Sequence, residues 1–266
     1  MALKFCSLSS GSSGNCYLVG SENTNILIDA GISAKKTGEA LSELGLTFKE
    51  ISAVLISHEH SDHIKGIDII SKKHGIPVYS NQKTRDAMIP LCKNCDCIDF
   101  RTFIQDSTFE IGDISVKAFN VSHDAADTVG FLVKNGNSSL CTATDTGCVT
   151  PEIHSAICES DLIVLEANHD ENILMMGKYP WFLKQRILGK NGHLSNEAAG
   201  EEIVKATTEN PKKRRFLLAH LSKENNFPEM AYQTIINVLE RSSIYPGHSL
   251  KIELLERDKR SKVYRV

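Results

Sequence analysis

His58-Glu59-His60-Ser61-Asp62-His63 brings three imidazoles and a carboxylate into six residues, directly after the apolar run Ala53-Val54-Leu55-Ile56. Side chains alternate along a strand, so His58 and His60 are expected to point toward one ion. The turn into a following helix would direct Asp62 and His63 toward a second ion. Because neutral imidazole and carboxylate suit zinc and neighbouring divalent ions, the segment predicts a metal centre rather than a solvated turn.

The pattern HxHxDH resembles the signature of the metallo-β-lactamase fold superfamily. In that superfamily the remaining ligands follow later strands as a histidine, an aspartate and a final histidine. The chain has each of them where a strand-like run stops: His123 after residues 114–121, Asp145 after 138–143, and His220 after 215–219. The resemblance therefore spans nearly the whole chain.

This resemblance implies a fold, a cofactor and a ligand set. The fold would be α/β, an αββα four-layer sandwich with mixed sheets and helices outside, formed as a single domain over residues 1–266. The cofactor would be two divalent metal ions, Zn²⁺ or Mn²⁺ or Fe²⁺, since the ligand types do not discriminate among them. The implied ligands are His58, His60 and His123 at one site, Asp62, His63 and His220 at the other, and Asp145 as the bridge.

The composition is that of an ordinary globular protein. The 266 residues are 41% hydrophobic and 24% charged, with a formal net charge of −3. This length suffices for one large domain, and the charge does not indicate a general nucleic-acid binder. A basic run, Lys212-Lys213-Arg214-Arg215, is typical of solvated surface. The N-terminus has no secretion signal, and the apolar stretches are far shorter than the roughly 20 residues that cross a bilayer, so we expect a cytoplasmic protein with no membrane association.

Eight cysteines in such a chain are expected to be reduced thiols. Cys92, Cys95 and Cys97 are clustered and offer three thiolates to a structural zinc ion. No fourth ligand is evident, so packing as small hydrophobic side chains is the favoured interpretation.

Apolar periodicity places the motif at a strand-to-helix junction. A strand is predicted over residues 53–57, and a helix begins near Asp62 and ends at Gly75. Asn135-Gly136 predicts a hairpin within an antiparallel middle section. Other strands are predicted at 4–8, 16–19, 25–29, 78–80, 108–111, 114–121, 128–134, 138–143, 161–166, 215–219, 249–255 and 262–265, with helices at 33–44, 196–207 and 228–240.

The predicted centre indicates hydrolysis. Two divalent ions roughly 3.5 to 4 Å apart can share a hydroxide as nucleophile and neutralise the charge that develops on a phosphoryl or acyl group. Asp62 has a second candidate role in orienting that hydroxide. Glu59 is expected to face solvent or to cap the helix. His169 follows a predicted strand and is a candidate extra ligand or substrate contact, against the alternative of an ordinary loop histidine.

His193, in Gly192-His193-Leu194-Ser195-Asn196, is a candidate general acid. The string resembles the helix entry of the tRNA 3′-processing ribonucleases of this superfamily, in which a histidine is assigned to protonation of the leaving group. Those enzymes have an acidic partner three residues before the bridging aspartate, and here that position is Thr142. Glu166 or Asp170 is a candidate substitute. The alternative is a bystander histidine beside a helix cap.

Two segments contain candidate substrate contacts. Ser10, Ser12, Ser13 and Asn15 lie in a Ser/Gly loop whose backbone N–H groups can face a phosphate, although such loops also serve as plain connectors. In the second segment, the aromatic side chains Tyr179, Trp181 and Phe182 alternate with cations and can stack on a base, with helix packing as the alternative use. The candidate substrate contacts in this segment are Lys178, Trp181, Lys184 and Arg186.

Several of these segments together resemble the YycJ/WalJ family of metallo-β-lactamase-fold proteins, chiefly residues 9–15, 165–170, 177–180, 192–199 and 219–226. That resemblance implies a double-stranded DNA exonuclease of 5′ to 3′ polarity that acts in mismatch repair. Three alternatives stay open: a phosphodiesterase of cyclic nucleotides or other cyclic phosphates, a thioester or lactam hydrolase, and a non-enzymatic regulatory protein stabilised by metal.

Overall fold

The computed structural model describes residues 2–93 and 95–266, which contain two seven-stranded sheets. The strands of sheet 1, in spatial order, are β14 (Tyr264–Arg265), β1 (Lys4–Ser9), β2 (Cys16–Gly20), β3 (Asn25–Ile28), β4 (Ala53–Leu55), β5 (Val78–Ser80) and β6 (Phe100–Thr102). Those of sheet 2 are β13 (Leu250–Leu254), β12 (Arg214–Ala219), β11 (Leu162–Glu166), β10 (Ser138–Ala143), β9 (Val129–Asn135), β8 (Ile114–Asn120) and β7 (Thr108–Ile111).

The helices are α1 (Ala34–Glu43), α2 (Ser61–Ile64), α3 (Ile67–His74), α4 (Gln82–Met88), α5 (Pro151–Glu159), α6 (Glu171–Met176), α7 (Trp181–Leu188), α8 (Asn196–Glu209) and α9 (Pro228–Arg241). Short 3-10 turns occupy Phe48–Glu50, Ile89–Leu91 and Cys95–Cys97. Within the described residues, no helix is both long and apolar enough to span a bilayer.

Local sequence signals explain several helix ends. Ser33 and Ser195 accept hydrogen bonds from the first-turn N–H groups of α1 and α8. These side chains satisfy donors that a helix leaves unpaired at its start. Helix α3 ends at Gly75, which has a φ of 67°. Glycine adopts this left-handed conformation without the steric cost of a Cβ atom, so it terminates the helix as predicted.

Three apolar layers hold the four structural layers together. Between the sheets, Tyr17 and Leu55 of sheet 1 pack with Phe131 and Leu217 of sheet 2 in one buried cluster. A second cluster joins sheet 2 to α5, α8 and α9, and a third joins sheet 1 to α1 and α3. Each sheet therefore buries both faces, which confirms the predicted αββα sandwich.

The sheet topology brings the candidate ligands to one edge of the sandwich. Strands β10, β11 and β12 are parallel, so the segments that follow them emerge on the same side. Strand β4 is parallel to β3 and β5 in the other sheet, and the motif follows its end. The middle strands β7 to β10 are antiparallel, as predicted.

The short elements were harder to predict. Strand β6 and helices α4, α6 and α7 were not predicted, because eight residues or fewer give little room for a periodic apolar pattern. Helix α5 was also not located, although Thr150 caps it and Pro151 begins it.

Candidate metal centre and cleft

The three histidines predicted for one metal site converge in the structure. The ring centroids of His58, His60 and His123 lie between 4.7 and 5.2 Å apart. One nitrogen from each ring lies within 4.8 Å of those of the other two, close enough for a shared ion. His58 follows β4 and His123 follows β8, so the two sheets contribute jointly to this group.

The second predicted group lies beside the first. Asp62 Oδ2 is 3.5 Å from His63 Nε2 and 3.7 Å from His220 Nε2. Asp145 stands between the two groups: its carboxylate oxygens lie 3.2 Å from His63 Nε2, 3.5 Å from His220 Nε2 and 3.8 Å from His123 Nε2. The structure thus brings all seven predicted ligands together, with Asp145 in the bridging position. Their role as ligands stays a prediction.

Four of the ligand histidines share one arrangement, in which Nδ1 is engaged by the protein and Nε2 faces the centre. A hydrogen bond at Nδ1 fixes the tautomer and leaves Nε2 as the atom that binds a metal. The partners of Nδ1 are Ser57 Oγ for His58 at 3.0 Å, Asp29 Oδ2 for His63 at 2.8 Å, the Gly192 carbonyl for His123 at 3.0 Å, and Glu166 Oε1 for His220 at 2.9 Å.

Unpartnered atoms also indicate a cation. His58 Nε2, His220 Nε2 and Asp145 Oδ2 are buried and have no hydrogen-bond partner among the described residues. Buried polar atoms without partners are costly, and all three belong to the seven converging side chains. The donor set and these atoms fit divalent metal ions, as the fold implies.

Asp29 and Ser57 support the centre from behind, and neither was predicted as a site residue. Asp29 Oδ1 accepts hydrogen bonds from the Ser57 backbone N–H at 2.9 Å and from Ser57 Oγ at 3.0 Å, while Oδ2 holds His63. Asp29 is 1% exposed. A carboxylate at the end of a buried strand was the signal that could have revealed it.

Glu166 joins the candidate general acid to the centre. Glu166 Oε1 lies 2.8 Å from His193 Nδ1 and 2.9 Å from His220 Nδ1. Its other oxygen accepts a hydrogen bond from the Thr146 N–H at 2.7 Å. Thr142 of β10 pairs with Val164 of the parallel strand β11, so the end of β11 places Glu166 nearby. Of the two proposed substitutes for the missing acid, the structure favours Glu166.

Asp170 has a different role. Its side chain caps α6 by accepting hydrogen bonds from the N–H groups of Asn172 and Ile173, each at 3.0 Å. The suggestion that Asp170 is the acidic partner of His193 is therefore wrong. Capping of α6 accounts for a carboxylate at this position, so no role at the metal centre is needed to explain it.

Backbone strain is concentrated at the centre. Asp29, Asp145 and His220 have φ values of 60°, 56° and 56°, in the left-handed region. Residues other than glycine adopt this conformation at a cost, and such residues cluster at functional sites. Each one redirects the chain at the end of a strand, so the strain accompanies the side-chain placement that the centre requires.

Charge within the centre is strongly polarised. Burial opposes ionisation of Asp145, yet His220 and His63 hold its pKa well below the ordinary value. Burial likewise opposes protonation of His220, but Asp145 and Asp62 raise its pKa to about 10. Burial and the neighbouring His63 lower the pKa of His58 well below the ordinary value. The carboxylates therefore attract positive charge, which protons or metal ions can supply.

A cleft of about 170 Å³ opens beside the centre. His193 forms part of its wall and lies with Nδ1 3.8 Å from Asp145 Oδ1. Burial opposes protonation of His193, but Glu166 raises its pKa. The cleft is lined by Ser12, Asp124, Asn168, Tyr179, Leu183, Arg186, Ile187, Gly192, His193 and Ser222.

The loop carrying His123 is fixed on both sides. Ser122 Oγ donates to the Lys190 carbonyl at 2.9 Å, and Arg186 pairs with Asp124. On the other side, Glu59 Oε1 accepts a hydrogen bond from the Ala126 N–H at 2.9 Å. Glu59 therefore neither faces solvent freely nor caps α2, because it anchors this loop.

The Ser/Gly loop contributes mostly to positioning. Ser10 is 1% exposed and its Oγ accepts a hydrogen bond from the His220 N–H at 3.1 Å. Asn15 is fully buried, with Nδ2 3.0 Å from His63 Nε2. The prediction that Ser10 and Asn15 contact substrate is not supported by these buried positions. Ser12 lines the cleft and Ser13 is exposed, so their predicted contacts remain predictions.

The candidate substrate contacts between residues 178 and 186 also differ in burial. Lys184 is 8% exposed and its Nζ donates to the Met175 carbonyl at 2.6 Å, so the prediction that it binds substrate is wrong. Arg186 lines the cleft and Lys178 is exposed, as substrate contacts require. Trp181 is exposed but is not among the cleft residues, so its contact remains a prediction.

His169 is buried, and neither of its ring nitrogens has a hydrogen-bond partner among the described residues. It is 1% exposed, and burial lowers its pKa to about 4. It belongs to none of the groups of described residues that can share an ion, so its role as an extra ligand or a substrate contact stays a prediction. The same search of the described residues includes no cysteine, so the structure does not assemble a zinc site from Cys92, Cys95 and Cys97.

Comparison with known proteins agrees with this geometry. Residues 24–221 match the family model described as the beta-lactamase superfamily domain. Exodeoxyribonuclease YycJ from Bacillus anthracis is 39% identical over 252 residues, which cover 95% of each chain. Exodeoxyribonuclease WalJ from Streptococcus pneumoniae strain D39 is 37% identical over 254 residues, which cover 95% of this chain and 94% of WalJ.

The chain belongs to the YycJ/WalJ family of the metallo-β-lactamase superfamily. The resemblance inferred from the motifs is thereby confirmed. A solved structure, the metallo-beta-lactamase fold protein YhfI from Bacillus subtilis, superposes with a TM-score of 0.73 over 100% of both chains at 16% identity. At that identity the likeness shows the fold alone, and it agrees with the sandwich described above for this YycJ/WalJ family member.

Proposed function

We propose that the protein is a metal-dependent exodeoxyribonuclease that degrades double-stranded DNA from 5′ ends, as one hydrolase domain over residues 1–266. The observation that carries the proposal is the position of His193, an imidazole held by Glu166 in the wall of an open cleft beside the seven converging side chains. The family relatives named exodeoxyribonucleases support a DNA substrate. We extend the proposal to a role in mismatch repair in the cytoplasm.

The seven ligands would hold two divalent ions, one at each group with Asp145 between them. Zn²⁺, Mn²⁺ and Fe²⁺ all suit these side chains. When bound, the ions would activate water and neutralise negative charge on the phosphate. The buried carboxylates Asp29 and Glu166 orient the ligand histidines, and this outer shell fixes the geometry before substrate arrives.

His193 is the residue that we assign to leaving-group protonation. Glu166 holds Nδ1 at 2.8 Å and favours the protonated ring, which leaves Nε2 to donate a proton. A sugar alkoxide is a poor leaving group, so protonation removes a large part of the barrier. Arg186 and Ser12 line the same cleft and are suited to contact phosphate oxygens. Lys178, eight residues before Arg186, is exposed and is a further candidate for phosphate contact.

Duplex DNA and an activated phosphate diester together test the exonuclease activity and the role of His193. The wild-type protein, given Mn²⁺, is expected to shorten linear duplex DNA from 5′-labelled ends and to leave covalently closed circles intact. His193→Ala is expected to lose roughly 10²- to 10⁴-fold in kcat on DNA. The same variant should hydrolyse bis(p-nitrophenyl) phosphate nearly normally, because p-nitrophenolate leaves without a proton.

Three results would contradict the proposal. Robust turnover of a cyclic nucleotide without DNA degradation would identify a small-molecule phosphodiesterase. Degradation of closed circles would exclude an exonuclease. Equal losses on DNA and on the activated ester would show that His193 supports the fold or the metals rather than the leaving group.

A further inference from the structure

Phe182 is the most exposed aromatic side chain in the described part of the molecule, at 72%. It lies in the first turn of α7, next to Trp181 at 59% exposure. Folding gains little from an aromatic ring in that position, since burial of apolar surface is what stabilises the fold. Adjacent exposed apolar side chains mark interaction surfaces more often than isolated ones do.

Helix geometry separates Phe182 from Trp181. The face of α7 that lines the cleft is defined by Leu183, Arg186 and Ile187. Phe182 precedes Arg186 by four residues, and residues four apart are neighbours on a helix surface. At 3.6 residues per turn, Trp181 lies on the side of α7 opposite to the face that lines the cleft. Phe182 therefore projects from α7 closer to the cleft face than Trp181 does, and neither ring is among the residues that line the cleft.

The segment bearing Phe182 is held firmly. The Leu183 N–H donates to the Pro180 carbonyl at 3.0 Å, and Lys184 Nζ donates to the Met175 carbonyl at 2.6 Å. Arg186 pairs with Asp124, next to the ligand His123. These contacts fix the backbone of α7 next to the loop that carries His123, so the helix presents Phe182 from a defined position.

The neighbouring groups indicate the chemistry of the ligand. Phe182 precedes the cleft-lining Arg186 by one turn of α7, and the exposed Lys178 and Lys190 lie before and after the helix in the sequence. A ring for stacking together with cations for phosphate is the combination that nucleic-acid strands recognise. A purely apolar partner would not use the cations.

We propose that Phe182 is the platform on which the terminal base of the DNA strand stacks as that strand enters the cleft; this inference rests on the proposed exonuclease function. Stacking places the terminal nucleotide over the rim and leaves the next phosphate within the cleft. Phe182 is thus a substrate-binding residue that acts on recognition of DNA, while hydrolysis of a base-free ester does not require it.

The test compares Phe182→Ala with Tyr245→Ala, a control of similar exposure (68%) in the loop before β13, at the opposite end of sheet 2 from the metal ligands. Base stacking predicts that Phe182→Ala raises KM for 5′-labelled duplex DNA about 5- to 150-fold. Turnover of bis(p-nitrophenyl) phosphate should stay within about twofold for both variants, as should KM of Tyr245→Ala for DNA. Phe182→Trp should restore binding, since it retains a ring.

The outcomes distinguish this inference from the proposed function. If wild-type protein degrades DNA and Phe182→Ala has normal KM, only the stacking platform is overturned. Equal effects of the two alanine variants would also overturn it. If wild-type protein hydrolyses the ester but not DNA, the exonuclease function fails and the platform fails with it.

Discussion

Asp29→Asn tests whether the buried carboxylate behind His63 sets the metal affinity of the second site. Asparagine is among the residues that tolerate a φ near 60°, so the backbone at this position should be retained. The amide oxygen can still accept from Ser57. The amide NH₂ would then face His63 Nδ1, which lies 2.8 Å from Asp29 Oδ2. Two donors cannot pair, so the proton of His63 should move to Nε2, the atom that the metal needs.

The expected loss of metal affinity follows from the single hydrogen bond that is lost, the one between Asp29 and His63. Removing one carboxylate partner of a ligand histidine lowers metal affinity about 10- to 100-fold, or about 1.4 to 2.8 kcal/mol. Only the ion held by Asp62, His63 and His220 should weaken. The ion at His58, His60 and His123 keeps all of its ligands and should be affected much less.

A competition titration with a chromophoric chelator measures both dissociation constants, and elemental analysis after dialysis measures the ions retained. Asp113→Asn is the matched control, because Asp113 accepts a 2.6 Å hydrogen bond from Ser21 in a loop remote from the centre. Wild-type affinity for both ions in Asp29→Asn would refute the argument. So would equal weakening of both sites, which would indicate a general loss of structure.

Three further predictions address the bridge, the backbone and a peripheral ion pair. Asp145→Ala should lose one or both ions by elemental analysis, because its carboxylate lies between the two groups; unchanged stoichiometry would exclude bridging. Gly31→Ala should lower the free energy of unfolding by about 3 kcal/mol or more in denaturant unfolding, because the new Cβ would lie 1.6 Å from the Asp62 carbonyl oxygen. The control Gly247→Ala should leave stability unchanged, because a Cβ at that position meets nothing within 4 Å. Burial opposes ionisation of Asp161, yet its bonds with Lys212 and Ser139 lower its pKa. Asp161→Asn should therefore reduce the free energy of unfolding by about 0.5 to 1 kcal/mol at pH 7, and this difference should shrink as pH falls below about 4 and the wild-type carboxyl gains its proton. A difference that stays constant from pH 7 to pH 3 would contradict the ion pair.

The fold and the ligand cluster were predictable because their signals are local and repeated. The motif from His58 to His63 specifies its own junction, and each later ligand stands where an apolar run stops. Strand and long-helix positions follow from periodicity, as for α8 and α9. Parallel strands bring their ends to one edge, and the resemblance to the metallo-β-lactamase superfamily implied which side chains there converge.

The supporting residues were not predictable, because their roles arise only from long-range packing. Asp29 stands at the end of a buried strand, but it is 34 positions from His63, so the sequence does not identify the histidine that it holds. Lys184 looked like a substrate contact, but its burial depends on how α6 and α7 pack. Ser10 looked like a phosphate contact, but its position beneath the His220 loop depends on the approach of two distant segments.

The most direct test of the account is anomalous diffraction from crystals of the protein grown with manganese or zinc. We predict two metal peaks, one contacting His58, His60 and His123 and the other contacting Asp62, His63 and His220, with Asp145 touching both. No peak at these side chains, or metal bound only elsewhere on the chain, would contradict the central claim that they form the hydrolytic centre.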